Sequence, residues 1–267
     1  MRPIVQQKIP VAIVTGASGD IGRAVVDRLL RENWAVMMFS RNTRGGLADT
    51  HNSMRDKYPM AILRSCTGSV TDHGAVDDML MLVNKVMGPI DLLVTAHGAK
   101  PSIHKSETMP MWDFLRIIES DVVGTFNVCQ RVGRVMLRQG YGSIVNISSV
   151  HSIATYPCRS AYAAAKSAVV GLSRVLAIEW AQGGVRVNVV SPWQVSGSRT
   201  RSINGKQTRE MLQSNPSGRL IEPEEVAAAV MFLHNTPAMN GHNLVLDGGL
   251  TASAWYMPYP VSEGVHA

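Results

Sequence analysis

Val11-Ala12-Ile13-Val14 followed by Thr15-Gly16-Ala17-Ser18-Gly19-Asp20-Ile21-Gly22 decides how the rest of the chain is read. The first four residues are apolar without alternation, the pattern of a strand covered on both faces. From Ile21 the apolar residues Val25, Leu29 and Leu30 recur at helical spacing. A strand, a glycine-rich turn and a helix therefore follow one another. Glycines in such a turn let the backbone bend tightly and approach a pyrophosphate, and the helix start offers it free N–H groups. An ordinary glycine-rich turn has the same composition, but the strand–turn–helix setting favours dinucleotide binding.

The alternation continues outward from this unit. Apolar runs at 35–39, 62–63, 91–95, 143–147, 185–190 and 244–246 read as six further strands. Helical stripes fall at 76–87, stopped by Gly88-Pro89, at 111–138, closed by Gly140, and at 161–182, closed by Gly183-Gly184. Pro223 stands where the first residue of a last helix belongs. The polar stretch 42–57 is helical at most. Strand–helix alternation predicts an α/β fold with a parallel sheet covered on both faces. With no repeat and no linker, 1–267 is expected to be a single domain. Residues 193–221 interrupt the alternation, and a loop of that length is expected to act as a lid or binding segment.

Composition excludes several classes. Apolar residues make up 45% and charged ones 17%, which suits a packed core and not a disordered chain. The net charge of +6 permits an anionic ligand. No basic run, helix-turn-helix pattern or zinc spacing accompanies it, so no nucleic acid is expected as a partner. Cys66, Cys129 and Cys158 are odd in number and far apart, which argues against a disulfide framework or a metal site and for a reducing, cytoplasmic location. The apolar stretch at 9–14 is too short for a signal peptide, and no run of about 18 apolar residues suggests a membrane partner.

Two further signals carry chemistry. Nineteen residues beyond Gly22, where an acid would hold a ribose 2′-hydroxyl, the chain has Ser40-Arg41-Asn42. A guanidinium binds a 2′-phosphate in a fork, and Arg44 adds charge. This predicts NADP(H) in preference to NAD(H), with NAD(H) still admissible; the plain alternative is a solvated surface arginine. Tyr162 and Lys166 stand at i and i+4, on one face of the 161–182 helix. An ammonium beside a phenol favours the phenolate and suits the phenol to acid/base work. Ser149, thirteen residues earlier, could hydrogen-bond the same substrate oxygen. Ser148 competes for that role, but adjacent strand residues point to opposite faces, so only one should reach.

From about Val11 to Gly249 the chain resembles the short-chain dehydrogenase/reductase family. The matching stretches are Thr15–Gly22, Ser143–Ser149, Tyr162–Lys166, Val187–Pro192 and Leu246–Gly249. The resemblance implies a doubly wound Rossmann-type sheet of seven strands and hydride transfer between a nicotinamide cofactor and a small-molecule carbonyl/alcohol pair. It implies catalytic roles for Ser149, Tyr162, Lys166 and Asp121, the last standing where the family has an Asn that holds a water leading to the lysine. It places cofactor contacts at Gly16, Ser18, Asp20, Ile21, Gly22, Arg41, Ser69, Val70, Ala96, Gly98, Tyr162, Lys166, Pro192 and Val195. A homotetramer built on helices 111–138 and 161–182 is also implied.

Several positions depart from the family pattern. Asp20 replaces a glycine and is expected to cap its helix by accepting a backbone N–H. His97 lies in Thr95-Ala96-His97-Gly98, the family's Asn-Asn-Ala-Gly stretch, as a packed structural histidine or a functional one. Trp193 replaces a glycine and either roofs the nicotinamide, lines the substrate pocket or packs against the lid. Gly197 replaces a threonine, whose contact Ser196 or Ser198 could supply. Lys100, His151, Arg159, Arg199 and Arg201 fall near the implied pocket, suggesting an anionic substrate or a solvated basic rim. These departures leave room for a second reading, an NADP-binding regulator that no longer turns over.

Overall fold

A computed structural model describes residues 8–41, 46–201, 212–213 and 215–253. Arg44 and residues 202–211 of the expected lid lie outside the described residues, as do the side chains of Arg199 and Arg201.

Seven parallel strands form one sheet in the order β3-β2-β1-β4-β5-β6-β7. They are β1 (Val11–Thr15), β2 (Ala35–Ser40), β3 (Leu63–Thr67), β4 (Leu92–Thr95), β5 (Gly142–Ile147), β6 (Val185–Pro192) and β7 (Asn243–Leu246). In register, Val14 stands between Met38 and Val94, and Ile144 between Leu93 and Val187. Chain direction across the sheet reverses between β1 and β4, so their carboxyl ends border the crevice where such folds bind ligands.

The unbroken apolar strands are buried on both faces, as their composition predicts. Ala12 and Val14 pack with Val25, Val26 and Leu29 of α1 (Asp20–Arg31) and with Val226 and Val230 of α8 (Pro223–Asn235). Val11 and Ile13 point the other way, against Val76, Met79 and Val83 of α3 (His73–Val86) and Val128, Val132 and Met136 of α5 (Gly124–Gln139). Burying side chains of this size contributes about 1.5–3 kcal/mol each, and this is what holds the layers together. The edge strand β3 exposes Arg64, Ser65 and Thr67, and it begins at Leu63 because Ile62 stays outside it.

The expected helix 111–138 is not uniform. It runs as α4 (Met111–Ile118), a π turn at Glu119–Val123, and α5. The polar stretch after β2 forms α2 (Gly46–Lys57), anchored by Leu47 and Thr50. Helix α6 (Ser160–Trp180) packs against β6 and α4 and continues as a tighter turn to Gly183. Among the described residues, Ser160–Gly183 is the segment long and apolar enough by composition to cross a membrane, with mean hydropathy 1.3. Its buried side is given to the sheet, where Val169, Leu176 and Ala177 are covered. The short α7 (Ser198–Arg201) follows β6. The three cysteines are free.

Candidate active site

The glycine-rich turn leaves β1 with Gly16 at φ +65°, and a Cβ there would lie 2.6 Å from Ala96 C and O and His97 Cα. Only glycine allows this approach of the first turn to the end of β4. No side chain caps α1, and the amides of Asp20, Ile21 and Gly22 find no acceptor among the described residues. An uncapped helix start with open amides is a ready anion site. Ser18 Oγ lies 2.9 Å from Ser40 Oγ, tying the turn to the end of β2. Arg41 follows, exposed and paired with no carboxylate among the described residues. Across the crevice, Ser69 bonds Thr71 Oγ1 at 2.9 Å, and the Val70 carbonyl accepts from Asn127. Pro192 ends β6, and Val195 pairs with Ile221.

Asp20 does not cap its helix. Its carboxylate reaches across to the segment after β6 and accepts from Ser198 N at 3.0 Å and Ser198 Oγ at 2.7 Å. A Cβ on Gly197 would lie 2.5 Å from Asp20 Cγ. The two departures at Asp20 and Gly197 are thus one packing arrangement: the acid occupies the volume that the glycine vacates. The Ser196 hydroxyl donates to the Glu222 carboxylate, so both serines that might replace a threonine at 197 are engaged elsewhere.

Ser148 and Ser149 divide as the pleat requires. Ser148 Oγ donates to the Lys166 carbonyl at 2.8 Å, fastening β5 to α6. Ser149 faces the other way; its Oγ accepts from His151 N at 3.3 Å and stands 3.5 Å from the Pro192 carbonyl. On α6, Lys166 Nζ lies 5.6 Å from the centroid of the Tyr162 ring and 3.4 Å from the Ile147 carbonyl. The same ammonium is 3.1 Å from Asp121 Oδ2, and both side chains are buried. Asp121 Oδ1 accepts from Ala99 N at 2.6 Å, beside Gly98.

His97 resolves as a packed residue. Nδ1 is 2.6 Å from Thr15 Oγ1 and Nε2 is 3.2 Å from Thr125 Oγ1, whose hydroxyl donates to the Asp121 carbonyl. Thr125 must then accept from Nε2–H, and Nδ1 accepts from Thr15. Burial pushes the imidazole down to about 4, so it stays neutral. Trp193 is 4% exposed and packs near Ile147, Val150 and Ile221. Its Nε1 donates to Tyr156 Oη at 3.0 Å; the Tyr156 ring meets His151 edge-on at 5.1 Å, and His151 meets Tyr162 at 5.4 Å. Trp193 therefore packs beneath the site and supports its aromatic wall. Neither the tie between Tyr156 and Trp193 nor the Thr15–His97–Thr125 chain has a spacing signature in the sequence. A cavity of about 310 Å³ lined by Trp34, Tyr58 and Ile62 lies at the amino ends of the strands, away from all these residues.

A family described as enoyl-(acyl carrier protein) reductase matches residues 16–251. The chain is 34% identical to a D-threitol dehydrogenase of Mycolicibacterium smegmatis, over 90% of this chain and 92% of that one. It is 35% identical to a 2-(R)-hydroxypropyl-CoM dehydrogenase of Xanthobacter autotrophicus, over 91% and 98%. Among solved structures, a levodione reductase superposes with a TM-score of 0.87 at 28% identity, covering 91% of this chain and 98% of that one. A gluconate 5-dehydrogenase from Burkholderia cenocepacia in complex with NADP and tartrate superposes at 0.84 and 27% identity, over 91% and 96%. The chain belongs to the short-chain dehydrogenase/reductase family, NAD(P)-linked oxidoreductases that act on CH–OH groups of small molecules. The close-packed glycine turn and the open first-turn amides of α1 fit such a dinucleotide.

Proposed function

We propose that this chain is an NADP(H)-dependent oxidoreductase interconverting a carbonyl and a secondary alcohol. The observation that carries the reading is the position of Lys166 Nζ, 5.6 Å from the Tyr162 ring and 3.4 Å from the Ile147 carbonyl, two residues before Ser149 at the carboxyl end of β5. The nicotinamide, when bound, supplies or accepts the hydride. Tyr162 Oη gives its proton to the carbonyl oxygen during reduction and takes it back during oxidation. Ser149 Oγ holds the same oxygen. The Lys166 ammonium stabilises the charge left on the phenol oxygen, and Asp121 fixes that ammonium in place. Arg41, exposed beside Ser40 and without a carboxylate partner among the described residues, supports NADP(H) over NAD(H).

The exposed Trp112, Leu115 and Phe126 on the α4–α5 rod, with Val175 and Ile178 on α6, support assembly through these helices, in our reading as a homotetramer. The free cysteines fit a cytoplasmic location. One sheet carries both halves of the site, so we treat the chain as a single domain, with a cofactor half near 9–100 and a catalytic half near 101–250.

Fluorescence titration with NADPH and NADH, followed by turnover on a carbonyl panel with and without Tyr162→Phe, tests the proposal. Tight NADPH binding and turnover that vanishes in the variant are expected. Binding without turnover on any substrate would favour an NADP-binding regulator.

A further inference from the structure

Four arginines of the described chain are half-buried, and three of them have their charge answered. Arg28 pairs with Glu32, and Arg131 lies 3.0 Å from Asp77. Arg186 is enclosed by the carbonyl oxygens of Leu233, His234, Thr236 and Met239 at 2.6–3.2 Å. The fourth is Arg159. Its one recorded partner is the Ser102 carbonyl, at 3.4 Å from Nη1, and no carboxylate among the described residues lies within ion-pair reach of it. A half-buried guanidinium with five N–H donors and a single long internal bond leaves most of those donors open to a further acceptor.

Its position says what that is. Arg159 is the N-cap of α6, three residues before Tyr162 in the chain. Its charge is also felt at His151, whose ring contacts Tyr162 edge-on. Arg159 thus bridges the two loops beside the candidate acid, the one after β4 and the one after β5. Asp113, in the first turn of α4 just beyond the first loop, is already held by Arg116 and His104. Lys100, on the first loop, is exposed and has no acidic partner among the described residues.

We infer that Arg159 receives a carboxylate of the substrate, two to four bonds from the reacting carbonyl carbon, making short oxo acids and their hydroxy-acid partners the substrate class. This rests on the oxidoreductase reading above. A planar fork of N–H donors matches a carboxylate in two hydrogen bonds, and it discriminates against the neutral ester of the same shape.

The test compares NADPH-linked reduction of 3-oxobutanoate and 4-oxopentanoate with that of their methyl esters, in the unaltered protein and in Arg159→Met. Calorimetric binding of butanoate and butanamide, to the protein alone and with NADPH, runs alongside and needs no turnover. The acids are expected to exceed the esters at least tenfold in kcat/KM, mainly through KM, and butanoate to bind at least tenfold tighter than butanamide. Both preferences fall to parity in Arg159→Met. Acids and esters reduced alike, butanoate and butanamide bound alike, or preferences that survive the substitution would overturn the assignment. If neither acids nor esters are reduced, the calorimetry decides. Failure to bind NADPH with the butanoate preference intact would sink the oxidoreductase reading and leave the anion site standing.

Discussion

Asp121 and Lys166 form an ion pair 3.1 Å across, joining the π turn to the interior of α6, with side chains 0% and 7% exposed. The second oxygen of Asp121 holds Ala99 N, so one carboxylate orders both the ammonium and the loop after β4. Removing one member of a buried pair strands the other, at a cost of roughly 3–5 kcal/mol. Asp121→Ala is therefore expected to lower Tm by on the order of 10 °C and to reduce turnover more than tenfold. Asp121→Asn, which keeps an acceptor for Ala99, should lose less of both. Thermal unfolding and steady-state rates of the two variants decide; unchanged turnover in Asp121→Ala would remove the residue from the site.

Arg41 follows Ser40, whose hydroxyl touches the glycine-rich turn. Loss of charge-assisted hydrogen bonds worth about 1.5–3 kcal/mol corresponds to roughly 10–100-fold in affinity. Arg41→Ala should weaken NADPH binding by about that factor while NADH binding stays within about twofold. Equal loss for both nucleotides would show that Arg41 does not read the 2′-phosphate.

Asp20 and Gly197 share one volume. Gly197→Thr should clash with the Asp20 carboxylate and lower both Tm and NADPH affinity. Asp20→Gly should release Ser198. Combined, the two changes relieve the clash, so the double variant should recover part of the loss, with a coupling on the order of 0.5–3 kcal/mol. Strictly additive effects in thermal unfolding would mean that the two sites are independent.

His97 and His151 are both held down to about 4 by burial, with Arg159 adding to the effect at His151. Their unfolded-state values near 6.5 are higher, so the unfolded chain takes up protons first as pH falls. Stability should be full above about pH 6.5 and decline from there toward pH 4. The carboxylates of Asp27, Glu225 and Asp247, all held low, add losses only at more acid pH. Denaturation midpoints from pH 4 to 8 should show this slope, and His97→Gln should flatten it; a midpoint constant down to pH 4 contradicts the assignment.

The sheet is legible because Val11–Val14 and Ala35–Phe39 are apolar without interruption, the pattern of strands buried on both faces, and shorter apolar runs recur between helical stripes. Tyr162 and Lys166 were legible through helical spacing. The partner of Asp20 was not, since the acid looked like a helix cap and nothing local announces a residue 178 positions away. The sequence admits three roles for Trp193, because its side chain is placed by Tyr156, a long-range contact without periodicity. The π turn escaped for another reason: apolar spacing through 111–138 tolerates one widened turn without visible interruption.

That widened turn has a further consequence. Asp113, Ile117, Asp121 and Thr125 recur every four residues, and all are buried. In an unbroken α-helix a four-residue repeat overshoots by about 40° at each step, which would carry Thr125 well around the cylinder from Asp113. The π turn sets back the phase midway, so the rod presents one inward line along its length while the opposite side stays available. Rewinding 119–123 as plain α-helix at unchanged length would remove that correction and turn the downstream half by about 100°, separating Thr125 from its partners without altering it.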